Sequence, residues 1–140
     1  MTSRHQLPLS GFKGINDTNG TVLLVDPDAM QRRTTAIFLR RCGCYVIPVS
    51  DGQEAKQLVS TNGVIADLLL TEIELPATNG FVLSQELTAA CPELMSLFAS
   101  REPYYSLART YGDLLPPQSF LQRPLIPKRV ADTLCRILVA

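Results

Sequence analysis

The stretch DLLLTEIELPATNG, residues 67–80, decides the fold. Its leucine run shows no polar alternation, which is the pattern of a strand covered on both faces rather than one. Two glutamates, Glu72 and Glu74, then alternate with aliphatic residues before Pro76 and a series of turn formers. A buried strand over 66–72 therefore delivers Glu72 to the edge of a sheet and breaks into a loop. The next segment, from about Gly80 to Ala90, has Leu83, Ser84 and Leu87 at helical spacing for an inward face.

Working outward, strands and helices alternate. TVLLV (21–25) is a second continuous apolar strand, after which Asp28 caps a helix to Arg41 whose inward face is read as Met30, Thr34, Ile37 and Phe38. Gly43 ends that helix, and CYVIPV (44–49) is an edge strand because Pro48 has no N–H for a ladder. DGQE (51–54) has the form of a capping box, opening a helix with Ala55, Leu58 and Val59 inward. LMSLFAS (94–100) is a fourth strand, 102–115 a fourth helix, and SFLQR (119–123) a fifth strand. The last helix starts at Pro127 and turns Val130, Leu134, Ile137 and Leu138 inward. Five strands alternating with five helices predict an α/β fold with a doubly wound parallel sheet. Right-handed crossovers favour the strand order 2-1-3-4-5 of flavodoxin-like proteins. Residues 1–20, rich in Ser, Thr, Asn, Asp and Gly, are expected to form a flexible N-terminal segment or linker, with the domain over 21–140.

Composition narrows the function. The 140 residues suit one domain, and 13 basic against 13 acidic residues give no charge excess that would favour nucleic acid. The start lacks an apolar signal core, and no apolar run reaches the roughly 20 residues that span a bilayer, so the expected location is the cytoplasm. Cys42, Cys44, Cys91 and Cys135 have no paired metal-binding spacing, and His5, the sole histidine, lies in the N-terminal tail. The cysteines read as small apolar residues of a reduced protein, although Cys42-Gly-Cys44 is close enough for a redox pair to be considered.

Functional groups of a parallel α/β sheet collect beyond the carboxyl ends of its strands. Here those ends carry Asp26-Pro27-Asp28, Glu72, Ser100 and Arg123-Pro124. With LLVDPD, DGQEA, LLLTEIELPATNG and FLQRP in this order, the chain resembles the receiver domain of two-component response regulators over about residues 21–139. The resemblance implies a (βα)5 fold and a phosphorelay signalling role. It also implies an acidic pocket at Asp26 and Asp28, a phosphoacceptor position at Glu72, a switch pair at Ser100 and Phe120, and a phosphate contact at Arg123. It implies no enzyme.

Three departures from the family pattern matter. The acceptor position, four residues before Pro76, holds Glu72 in place of aspartate; the second acid after the first strand is replaced by Pro27; and Arg123 stands where the family has lysine. Mg²⁺ needs carboxylate oxygens around a small octahedral shell, and Pro27 offers none. Asp26 and Glu72 are then weak metal candidates, and no cofactor is expected. The expected function is an atypical, pseudo-receiver module that acts by protein–protein interaction without conventional aspartyl phosphorylation. Glu72, Arg123 and Ser100 are read as a built-in imitation of the phosphorylated state. The expected partner is a protein, a histidine kinase or a downstream effector, met through the helix-four/strand-five face, with a homodimer as a further assembly. The alternatives are a phosphorelay receiver with an altered acceptor, a receiver domain from a hybrid histidine kinase, and a small enzyme using a carboxylate and Ser100. The last is disfavoured because the domain has neither histidine nor a glycine-rich phosphate loop.

Each residue also has a structural reading. Glu72 is an exposed strand-end acid in that view, Asp28 a helix cap, Arg123 a neutralising charge and Phe120 a core residue. Tyr104, Tyr105 and Tyr111 are then half-buried packing groups rather than a partner surface.

Overall fold

A computed structural model describes residues 19–139. Residues 1–18, which hold most of the expected linker and His5, lie outside the described residues. Asn19 and Gly20 belong to the domain, which moves the expected boundary. Asn19 is buried, its main-chain N–H donates to the Gly43 carbonyl at 3.0 Å and its Nδ2 to the Cys42 carbonyl at 2.5 Å. Gly43 is needed there, with φ of 88° and a Cβ position only 2.6 Å from Asn19 Nδ2.

In chain order the elements are β1 (Thr21–Val25), α1 (Ala29–Arg41), β2 (Tyr45–Val49), α2 (Gly52–Lys56, continued as a π turn over Gln57–Thr61) and β3 (Leu68–Glu72). A small hairpin of β4 (Glu74–Leu75) and β5 (Thr78–Asn79) follows, then α3 (Gly80–Ala90), β6 (Met95–Ser100), α4 (Tyr104–Tyr111), β7 (Phe120–Gln122) and α5 (Pro127–Leu134). The main sheet is parallel, in the order β2-β1-β3-β6-β7. With the hairpin set aside this is the expected 2-1-3-4-5, with 68–72 central and Pro48 on an edge strand.

The leucine-rich strands work as their lack of alternation requires. Val22, Leu24, Leu68, Leu70 and Leu97 pack on one face with Leu39 of α1 and Val130 and Leu134 of α5. Leu23, Val25 and Leu69 point the other way, onto Ala55 and Val59 of the α2 segment and Leu83 and Leu87 of α3. Two covered faces consume every second residue in each direction, so the strands stay apolar until Thr71, which is buried at the end of β3. A third cluster of Ile73, Phe81, Phe98, Leu107 and Leu115 fills the space beneath α4.

Helix caps follow the sequence. Asp28, Asp51 and Asn79 accept the main-chain N–H groups of Gln31, Glu54 and Val82 at 2.8, 2.8 and 2.9 Å. The return arm of the capping box departs slightly, since Glu54 Oε1 accepts from the Ser50 N–H at 3.3 Å rather than from Asp51. The expected inward stripe of α1 is incorrect. Met30, Thr34 and Ile37 are exposed and Phe38 is partly buried, while Thr35, Ala36 and Leu39 are buried. Ala36 and Leu39 join the core cluster of Val22 and Leu24, and Thr35 is turned to Arg123. The fourth helix is also shorter than 102–115, ending at Tyr111 before a 3-10 turn over Gly112–Leu114.

Candidate functional site

Strand β1 ends by placing Asp26 at the carboxyl edge of the sheet, 1% exposed. One strand over, β3 carries Glu72 to the same edge, its side chain 14% exposed. Arg123 follows β7, is itself buried, and is joined to Pro124 by a cis peptide bond. Its main-chain N–H donates to the Ser100 carbonyl at 2.8 Å, which fixes where the side chain starts. The guanidinium then reaches across the strand ends. Nη2 donates to Asp26 Oδ2 at 3.0 Å, Nε donates to Glu72 Oε2, and Nη1 donates to Thr35 Oγ1 at 3.3 Å. One planar cation thus bridges two carboxylates, a task suited to its forked donors.

The two acids are held differently. Asp26 Oδ1 accepts the Asp28 N–H at 2.9 Å, and Oδ2 accepts from Arg123 and, at 3.4 Å, from Gln31 Nε2. The Glu72 carboxylate accepts from Arg123 alone among the described residues. Burial pushes both carboxyls above their ordinary values; Asp28 N–H and Arg123 pull Asp26 back down, and Arg123 does the same for Glu72. Gly80 keeps β3 and α3 close enough for this, since a Cβ there would sit 2.6 Å from the Glu72 carbonyl oxygen.

Other expected site residues fall elsewhere. Asp28 stands outside the acidic pocket, exposed, its carboxylate used as the cap of α1. Ser100 Oγ accepts the Glu102 N–H at 3.0 Å instead of donating to Glu72, because a serine beside a turn finds a local partner two residues on. The bond expected from Ser100 to Glu72 is therefore not made, and the Arg123 guanidinium turns its other donors to Asp26 and Thr35. Phe120 is half-buried, its ring centroid 5.5 Å from that of Tyr104, whose hydroxyl donates to the Leu115 carbonyl at 2.7 Å. Tyr111 packs on Phe81, and Tyr105 is exposed.

Thr35, Gln31 and Arg101 were not singled out by sequence reasoning. The first turns of α1 hang over the strand ends, so Gln31 and Thr35 had a positional signal; Arg101 directly follows Ser100. The acids do not form an oxygen shell for Mg²⁺: Pro27 contributes no ligand, Asp28 is committed to its cap, and Arg123 lies between Asp26 and Glu72. The cysteines are free thiols, with Cys42 raised and Cys44 pushed up to about 12 by burial, which works against thiolate chemistry.

The chain and its fold have counterparts among known proteins. The chain is 32% identical over 79 residues to the autoinducer 1 sensor kinase/phosphatase LuxN of Vibrio campbellii, covering 56% of this chain and 9% of LuxN. It is 40% identical over 62 residues to the two-component response regulator-like APRR9 of Arabidopsis thaliana, covering 44% and 13%. A response regulator receiver protein from Sinorhizobium medicae superposes with a TM-score of 0.72 over 86% of this chain and 94% of that one, at 21% identity. The fold is that of response-regulator receiver domains. No family model matches the sequence. The chain spans about a tenth of the length of the two curated relatives, at 9% and 13%. No helix among the described residues is long and apolar enough to cross a membrane.

Proposed function

We propose that this receiver domain signals by binding a protein partner without conventional aspartyl phosphorylation, with Glu72 and Arg123 acting as a standing, partial imitation of the phosphorylated state. The observation that carries this reading is the grip of one guanidinium on both Asp26 and Glu72. Between these acids Arg123 supplies a positive charge that needs no oxygen shell. Arginine is weakly hydrated and permanently charged, so it tolerates this burial better than an ammonium. The imitation is partial because one carboxylate has less charge and fewer oxygens than a phosphoryl group. The partner is a histidine kinase or a downstream effector in the cytoplasm, and the face is that of α4 and β7, where Tyr105 is exposed. A homodimer through that face is the competing assembly.

Incubation with acetyl phosphate and Mg²⁺, followed by intact mass, tests the reading. An unchanged mass is expected, and a stable phosphoryl adduct on Glu72 overturns it. A pull-down with the parent and Glu72→Gln tests the imitation, which requires weaker capture by the variant. One observation favours a second reading, a receiver of the hybrid-kinase kind with an altered acceptor: Glu72 Oε1 accepts no hydrogen bond among the described residues. The adduct measurement separates the two.

A further inference from the structure

The Arg123 guanidinium meets a different acceptor through each of its three nitrogens. Nε donates to Glu72 Oε2, Nη2 to Asp26 Oδ2 at 3.0 Å and Nη1 to Thr35 Oγ1 at 3.3 Å. Arginine commonly grips a single carboxylate through two parallel N–H bonds, and the Nε–Nη2 edge can serve both oxygens of one acid. Glu72 is open to such a grip, since among the described residues its Oε1 accepts no hydrogen bond. A restraint away from that edge is needed to keep the cation shared.

Nη1 lies off that edge, and its partner is on α1. Thr35 is 1% exposed on the inward face of the helix, with Ala36 and Leu39. A hydroxyl buried among apolar neighbours calls for a polar partner, and Arg123 provides one. The helix that carries it is pinned to the end of β1. Arg32 Nη1 donates to the Asp26 carbonyl at 2.7 Å, and Gln31 Nε2 donates to Asp26 Oδ2 at 3.4 Å. The Thr35 hydroxyl is therefore a fixed post for Nη1.

We propose that Thr35 is the positioning residue that keeps Arg123 shared between Asp26 and Glu72 and off a two-oxygen grip on Glu72 alone. The inference rests on the reading of Glu72 and Arg123 as the charged pair this domain uses. A swing of the guanidinium onto Glu72 takes Nη1 away from Thr35, and a buried donor left without its partner is costly. With the Thr35 hydroxyl removed, that restraint is gone. The guanidinium then turns toward Glu72, the more exposed of the two acids, while Asp26 keeps the Asp28 N–H and Gln31. The position of α1 thereby decides which acid holds the cation.

The test is carboxyl ¹³C titration of Asp26 and Glu72 in the full chain. It compares the parent with Thr35→Val, which keeps the branched shape without the hydroxyl, and with Thr35→Ser, which keeps the hydroxyl. In Thr35→Val the Asp26 midpoint should rise, having lost Arg123, and the Glu72 midpoint should fall, having gained a second bond. Loosened packing has a different signature. It lets water reach both acids, whose values burial raises, and moves both midpoints down together. Asp28 and Arg101, whose charges also act on these carboxyls, are the same in every variant. Thr35→Ser should titrate as the parent does. Unmoved midpoints in Thr35→Val, a fall of both, or a rise of Glu72 overturns the proposal, as does Thr35→Ser behaving like Thr35→Val. Thr35→Ala takes the place of Thr35→Val if the latter does not fold, with the same expected and overturning results. Neither a partner nor a phosphodonor enters the measurement, so its failure is distinct from failure of the signalling mode proposed above.

Discussion

Arg123 and Asp26 stand 97 residues apart in the chain and meet at 3.0 Å, both buried, with the same guanidinium also holding Glu72. Removing the guanidinium leaves two carboxylates without their shared cation. Arg123→Ala is expected to cost about 3–5 kcal/mol, the range for a broken buried pair. Arg123→Lys restores the residue of the family pattern but offers a point charge that serves one acid well, so a loss of about 1–2 kcal/mol is expected. Urea midpoints of the three proteins measure this. A midpoint for Arg123→Ala equal to that of the parent would show that the bridge contributes nothing.

The two buried carboxyls should make stability depend on pH in the direction opposite to ordinary acid denaturation. Burial raises Asp26 and Glu72 above their ordinary values of 3.8 and 4.5. The folded state therefore binds more protons than the unfolded state between those ordinary values and the raised ones. Stability is greatest below the unfolded values and falls as pH rises through the folded ones. The stability contributed by Asp26 and Glu72 is expected to fall as pH rises from their ordinary values through the raised ones, with a smaller fall in Glu72→Gln. Melting temperatures over a pH series measure it, and an equal slope in both proteins contradicts a raised Glu72 carboxyl.

The hairpin after β3 stores local strain. Ala77 has φ of 65°, a left-handed conformation that costs an alanine about 1–2 kcal/mol and a glycine little. Ala77→Gly should stabilise the domain by about 0.5–1 kcal/mol once the greater freedom of glycine in the unfolded chain is subtracted. Equilibrium denaturation reads the difference, and a destabilised variant would show that Ala77 makes compensating contacts.

Rebuilding a metal site takes more than adding acids. Pro27→Asp with Glu72→Asp supplies carboxylates, but Arg123 still lies between them. The pair of changes alone should show no Mg²⁺-dependent rise in melting temperature. Adding Arg123→Lys should produce one, reflecting about 2.7 kcal/mol of added stability when Mg²⁺ reaches about 100 times its Kd. A rise with Arg123 retained would mean the guanidinium yields readily to a cation.

Much of the fold was determined by the sequence by itself. Runs such as TVLLV and DLLLT admit only strands buried on both faces, and Pro48 admits only an edge. The cap residues Asp28, Asp51 and Asn79 act on groups three residues away, which is why their contacts are local and readable. The convergence of Asp26, Glu72 and Arg123 on one edge was likewise legible, because strand ends in a parallel sheet share a side. Only the tertiary structure decided how these groups pair. Ser100 and Arg123 both had the chemistry to hold Glu72, and a serine satisfied by its own turn leaves the acid to arginine. The buried face of α1 was settled the same way. Met30 and Ile37 point outward while Thr35, Ala36 and Leu39 face inward, since the packing against the sheet and the Arg123 contact to Thr35 exist only after the strands have assembled.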